Sequence, residues 1–313
     1  MKPLYTDGKK KNGLKKPLDA ATVILARENT DQDFEIFLMR RHRNQSFMGS
    51  AYVFPGGRLD KADTGRQLTA YSQGLAAEEA AARLNERDLD HDLALGLFFA
   101  AIRETFEEAG VLLAVPASGG VLDFKDQETG SRFEAYRRKI HDQEMTLKDL
   151  AEEEELVYAL DLLTPYSHWI TPDIESKRFD TRFLLARMPK NQAPIHDSIE
   201  MTESLWVSPA KALAGFEAGE ILLMPPTLKT IEELAEFSSL GHLFASASTK
   251  EIYPILPQGE AGPDGVILKL PIDPEYSIEG YKQPARPEEK TRIVNINGKW
   301  RTMRAGGDDT ASP

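Results

Sequence analysis

Leu93-Ala94-Leu95-Gly96-Leu97-Phe98-Phe99-Ala100-Ala101-Ile102-Arg103-Glu104-Thr105-Phe106-Glu107-Glu108-Ala109-Gly110 carries two helical patterns at once. Leu95, Phe98, Phe99, Ile102 and Phe106 fall within roughly 100° of one another on a helical wheel and form the face to be buried. Glu104, Glu107 and Glu108, spaced i, i+3, i+4, stack three carboxylates on the opposite side. Asp92 stands where a cap belongs, and Gly110 where a helix stops. Like charges at this spacing repel. A hard divalent cation such as Mg²⁺ or Mn²⁺ would offset that repulsion. Taken alone, the plainer reading of the patch is a solvated acidic face.

Upstream, Ala20–Arg27 and Phe34–Arg41 are apolar, partly β-branched runs that read as paired strands, and Ala51–Phe54 reads as a short third. Pro55-Gly56-Gly57 follows, a turn whose glycines let backbone approach a ligand closely. Gln73–Arg87, rich in Ala and Glu, predicts a helix within residues 64–92. Downstream, Val111–Val115 predicts a strand and residues 131–160 an acidic helical region. Ser167–Thr171, Arg178–Ala186 and Leu205–Val207 predict strands, and Pro209–Phe216 and Leu228–Phe237 short helices. Beyond residue 242 the chain is Pro- and Gly-rich, with β-like runs at Val266–Leu270 and Thr291–Ile296. Interleaved strands and helices indicate an α/β or α+β fold.

The bulk numbers exclude several classes. The chain has 313 residues and a net charge of −12. This speaks against long nucleic acid as a partner and leaves a small anion possible only beside local positive charge. There is no cysteine, which removes disulfides, thiolate metal sites and a Cys nucleophile. No apolar run approaches the ~20 residues of a membrane span. The Lys-rich residues 1–18 read as a disordered basic tail rather than a signal sequence. The expectation is a cytoplasmic enzyme; a homodimer is compatible with the sequence.

Arg103 to Val111, read with Phe54-Pro55-Gly56-Gly57 and Asp63, resembles the Nudix box. Arg-Glu-x-x-Glu-Glu-x-Gly-apolar forms its second half, and a Gly with an acidic residue six positions on forms its first. Asp63 stands where the family has Glu, and Thr105 where it is usually more apolar. A long spacer, residues 64–102, replaces the family's short one. A box split in this way, with Phe47-Met48 before it, is similar to the branch that contains animal coenzyme A diphosphatases. Further segments match that branch in order: His168-Trp169-Ile170-Thr171-Pro172, Arg178 to Phe183, Trp206-Val207-Ser208-Pro209 and Pro225-Pro226-Thr227. The resemblance implies a Nudix-like α/β/α sandwich with a mixed sheet over residues 19–240. It leaves 64–92 as a helical insertion, read as a flap over the substrate, and 241–313 as a β-rich C-terminal extension.

By the same resemblance Glu104 and Glu108 are primary metal ligands, Glu107 stands beside them, and Arg103 pairs with Asp63. A bound metal would position diphosphate oxygens and activate a water. Glu107 or a later acid such as Glu203 is the candidate base, and the sequence does not choose between them. Strand alternation puts Arg178, Asp180 and Arg182 on one face, which makes the two arginines candidate phosphate contacts beside Gly56 and Gly57. The alternative is an exposed Arg–Asp cross-pair. Trp169 and Tyr166 are candidates for base stacking or for the core. The implied activity is hydrolysis of coenzyme A or an acyl-CoA to 3′,5′-ADP and (acyl-)4′-phosphopantetheine. The alternatives are another nucleoside-diphosphate derivative, such as ADP-ribose or a dinucleotide, and a non-catalytic nucleotide sensor.

Overall fold

The computed structural model describes residues 16–29, 33–43, 49–197, 200–262 and 265–306. The expected basic tail, apart from residues 16–18, and Phe47-Met48 lie outside them. Along the chain run β1 (Leu18–Glu28), β2 (Phe34–Arg41), β3 (Tyr52–Val53), β4 (Gly56–Arg58), β5 (Ser72–Gln73), α1 (Ala77–Arg83) and α2 (His91–Ala109). They are followed by β6 (Ala114–Pro116), α3 (Gln127–His141), α4 (Leu147–Glu153), β7 (Leu156–Ala159), β8 (Thr164–Ile170), β9 (Phe179–Arg187) and β10 (Met201–Val207). The last third contains α5 (Pro209–Ala218), α6 (Pro225–Leu234), α7 (Leu240–Ala247), β11 (Pro254–Ile255), β12 (Gln258–Gly262), β13 (Gly265–Lys269), β14 (Lys290–Ile296) and β15 (Lys299–Arg304).

The main sheet has the order β10-β2-β1-β9-β8-β11, with β3 on β2 and β4 on β1. β1 lies parallel to β9, and β8 parallel to β11; the other pairs are antiparallel, so the sheet is mixed. Alternation along β1 sends Val23 and Leu25 into one core with α2. Ile24 and Ala26 go into a second core with helices α5 to α7. A sheet buried on both faces gives the expected three layers.

In α2 the apolar face is buried as the spacing predicts: Phe98, Phe99, Ile102 and Phe106 are each at most 1% exposed. The cap is Asp90, not Asp92. The Asp90 carboxylate accepts from the backbone N–H of Leu93, while Asp92 pairs with Arg66. Gly110 closes the helix at φ 67°, a left-handed conformation that suits glycine. The expected strand at Val111–Val115 is displaced to β6. Over Leu112 the side chain of Gln192 stands in for a partner strand, donating to its carbonyl and accepting from its N–H, both at 2.9 Å. The region 131–160 is not all helical. Leu156-Val157-Tyr158-Ala159, with its β-branched and aromatic residues, forms β7 and pairs with β5 and β6.

One further expectation changes. The insertion is not a flap. Leu68, Leu75, Ala80, Ala81 and Leu84 are buried in the core that α2 occupies, α1 packs along α2, and β5 hydrogen-bonds to β7. The extension, β-rich as expected, packs onto the domain. α7 places Leu240, Leu243 and Ala247 in the second core, Leu268, Ile293 and Trp300 join it there, and β11 extends the main sheet. The β-like runs at 266–270 and 291–296 are β13 and β14 of a four-stranded sheet.

Candidate active site

The site forms where the strand β4 meets the acidic side of α2. Gly57 has no side chain, and the Glu104 carboxylate fills the space one would need. A Cβ at 57 would lie 2.5 Å from both Glu104 oxygens. Gly56 donates its N–H to Glu108 Oε2 at 2.8 Å. Gly56 and Gly57 therefore set the carboxylates by close backbone approach. A Gly57→Ala exchange is expected to push the flexible Glu104 carboxylate aside and to lower kcat about 10- to 100-fold, since misplacement by about 1 Å carries that order of cost. The melting temperature should change little; an unaltered kcat would contradict the placement.

Arg103 organises the acids. Its Nε and Nη2 grip the Asp63 carboxylate at 3.0 and 2.9 Å, the pairing that the resemblance implied. Nη2 also donates to the carbonyl of Arg58, which ties β4 to the helix. Nη1 donates to Glu104 Oε1 and Glu107 Oε1, both at 2.9 Å. Burial pushes the Glu104 carboxyl up to about 7, with Arg103 opposing and Glu107 adding to the rise. Burial and then Glu104 push Glu108 well above the ordinary range. Burial also raises Glu107.

Among the described residues no three acidic or histidine side chains are already drawn into an ion cage. The donor set nevertheless fits a cation. Glu108 is buried and Glu104 largely so, the charge on Glu104 disfavours that on Glu108, and a hard cation relieves desolvation and repulsion at once. Glu104 and Glu108 would hold it, with Glu107 beside them; Arg103 Nη1 donates to Glu104 and Glu107 alike, and Glu107 also lies 3.9 Å from His141 Nδ1. A divalent ion there would neutralise phosphate oxygens and acidify a bound water.

A cavity of about 530 Å³ opens from these acids. The odd residues Phe179, Thr181 and Phe183 of β9 line it, together with Ala20 and Thr22 of β1 and Trp169 of β8. Tyr166 is core, 1% exposed. Asp197, Glu200 and Arg41 also line the cavity, and Glu200 is among the charges acting on Glu108. The sequence reading missed these three. Glu203, the acid it named, instead pairs with Arg40 at the surface and does not line the cavity. Arg41 belonged to a visible signal, the basic run Arg40-Arg41-His42-Arg43, while Asp197 and Glu200 carried none.

The two proposed phosphate arginines are placed elsewhere. Arg182 is 4% exposed and its guanidinium binds Glu86 and Asp19, each at 2.7 Å, and Asp180 at 3.2 Å. His168 closes the cluster against Asp180. Alternation grouped Asp180 with Arg182 correctly, but their shared face looks away from the cavity toward the insertion. Arg178 donates to the carbonyl of Thr171 and likewise does not line the cavity. Removing one partner from a buried ionic cluster leaves uncompensated charge, so Arg182→Ala is expected to destabilise the fold by about 3–5 kcal/mol. Urea unfolding measures this; a loss under about 1 kcal/mol, a surface-pair value, would contradict it.

The sequence profile of the NUDT19 Nudix domain matches residues 18–234. The chain belongs to this family. It is 25% identical to an acyl-coenzyme A diphosphatase NUDT19 from Xenopus laevis, over 87% of this chain and 83% of that one. The protein of the same name from Gallus gallus is 30% identical, over 78% and 73%, and that from Homo sapiens 28% identical, over 86% and 80%. A NUDIX hydrolase from Alicyclobacillus acidocaldarius superposes with a TM-score of 0.57 at 23% identity, covering 77% of this chain and all of that one. This likeness shows the Nudix fold. The profile stops at the end of α6, so α7 to β15 lie beyond the matched Nudix domain.

Proposed function

We propose that the chain hydrolyses the diphosphate of coenzyme A or an acyl-CoA, with Mg²⁺ or Mn²⁺, to 3′,5′-ADP and (acyl-)4′-phosphopantetheine. The observation that carries the reading is the pair Glu104 and Glu108, one largely and one fully buried, set by Gly56-Gly57 at one end of the cavity. A sensor has no need of two such carboxylates, which repel an anionic ligand. A hydrolase with a cation between them does. The names of the frog, chicken and human relatives supply the coenzyme A part of the proposal.

The roles divide as follows. Glu104 and Glu108 hold the cation, and Arg103 fixes the helix to Asp63 and to the Arg58 carbonyl. Water attacks one phosphorus, the bridging P–O bond breaks, and the water's proton passes to a carboxylate. Glu107, Asp197 and Glu200 all line the cavity and are the candidates for that base. Arg41 and Arg58 line the same end and supply local positive charge in an otherwise acidic protein. Among the described residues no helix is long and apolar enough to cross a membrane.

The test is incubation with coenzyme A, acyl-CoAs, ADP-ribose and dinucleotides in Mg²⁺ or Mn²⁺, with products read by mass. The expected products are 3′,5′-ADP and the phosphopantetheine fragment, lost in excess chelator. A clearly higher kcat/KM for ADP-ribose or a dinucleotide would refute the coenzyme A reading. Tight binding without turnover of any of them would favour the sensor.

A further inference from the structure

The cavity floor has a direction. It starts at Gly57 on β4 and crosses β1, β9 and β8 through the registered pairs Ala21↔Gly57, Thr22↔Phe183 and Trp169↔Thr181. It ends at Trp169 on β8, the strand to which β11 is paired through Ile255. Three strand-to-strand steps span about 14 Å. The carboxylates of α2 sit over the first strand only. The far end is floored by Trp169 and Phe179 and flanked by Pro257 and Leu268.

Those last two residues come from the extension, beyond the family match at 18–234. Their position is built rather than incidental. β11 is hydrogen-bonded into the main sheet beside β8, and Pro257 stands two residues beyond its end. The β12–β13 hairpin carries Leu268, 3% exposed and packed in one core with Trp169 and Phe183. The hairpin also abuts the β8–β9 connection, since a Cβ on Gly259 would meet Ile174 at 2.8 Å.

Resting on the coenzyme A reading, we infer that the extension is a specificity element: Pro257 and Leu268 form the wall against which the acyl end of an acyl-CoA packs. The order of chemistry along ligand and cavity agrees. An acyl-CoA runs from diphosphate through neutral pantetheine to an apolar acyl group. The cavity runs from carboxylates through Thr181 to an apolar wall. The 3′-phosphate end carries further negative charge and finds more cations at the Arg41 and Arg58 end. Lys177 is the one cationic side chain lining the far part among the described residues.

The readout is the ratio of kcat/KM for a long-chain acyl-CoA to that for free coenzyme A. Leu268→Ala, which lengthens the arm, should raise that ratio, and Leu268→Phe, which shortens it, should lower it. Each shift should be about tenfold, the scale of one or two methylenes in an apolar pocket. Pro257→Ala reads the same ratio, in the direction of Leu268→Ala, should the Leu268 variants fail to fold. A ratio unmoved within about twofold in folded variants overturns the inference while leaving the coenzyme A reading intact. So does a Lys177→Ala variant that narrows the gap between coenzyme A and dephospho-coenzyme A, because the 3′-phosphate would then occupy the wall. If the unaltered chain cleaves no coenzyme A species, the underlying reading has failed and the inference with it.

Discussion

Replacing Glu108 with Gln is expected to slow diphosphate hydrolysis about 100-fold or more while leaving the fold intact. A metal contributes several kcal/mol of transition-state stabilisation, and each 1.36 kcal/mol is tenfold in rate, so losing half of a two-carboxylate site removes at least about two powers of ten. The fold survives because the amide keeps what the carboxylate does structurally. The carbonyl oxygen of Gln still accepts from the Gly56 N–H, which reaches Glu108 Oε2 at 2.8 Å. The exchange also removes a charge that burial and Glu104 together disfavour. In chelator the melting temperature should be unchanged or higher than that of the parent. In Mg²⁺ or Mn²⁺ the parent should gain stability by ligand linkage, and the variant should lose that gain. Turnover within threefold of the parent, with the metal-induced shift retained, would sink the assignment of Glu108 as a ligand.

What could be read from the sequence, and what could not, follows from the range of the forces involved. α2 was legible because a nineteen-residue helix repeats its pattern several times, so apolar and acidic faces separate without outside help. The pairing of Arg103 with Asp63 was legible only through resemblance, since 40 positions separate the partners. Alternation along β9 grouped Asp180 with Arg182 correctly. It could not say which face meets substrate, because that depends on Glu86, 96 positions away, arriving from the insertion to bind Arg182. Asp197 and Glu200 became site residues through the pairing of β10 with β2, in which Met201 opposes Arg41; no local pattern encodes that contact. The helix α7 was missed because Leu240–Ala247 is only eight residues long, and it is held by the second core rather than by its own propensity.

The insertion gives the largest structural effect. Replacing Gly65–Asp90 with a short linker is expected to abolish cooperative folding rather than to trim a mobile cover. That segment buries Leu68, Leu75 and Leu84, with Ala80 and Ala81, against the core around α2. At about 1.5–3 kcal/mol for each large side chain, the three leucines alone contribute roughly 5–9 kcal/mol. The whole stability of a domain is about 5–15 kcal/mol. The deletion would also uncover Ala94, Leu95 and Phe98, which are buried on α2. It would strip the Asp90 cap from that helix, and it would take Glu86 from Arg182, leaving a buried guanidinium with fewer counter-charges. Each loss falls on the helix that carries Glu104 and Glu108 or on the sheet beneath the cavity. Stability and catalysis should therefore fail together, with no soluble species that retains native circular dichroism. A deletion protein that melts cooperatively and binds substrate with only a changed KM would show that the insertion is a lid after all, and that its buried leucines stabilise the insertion alone.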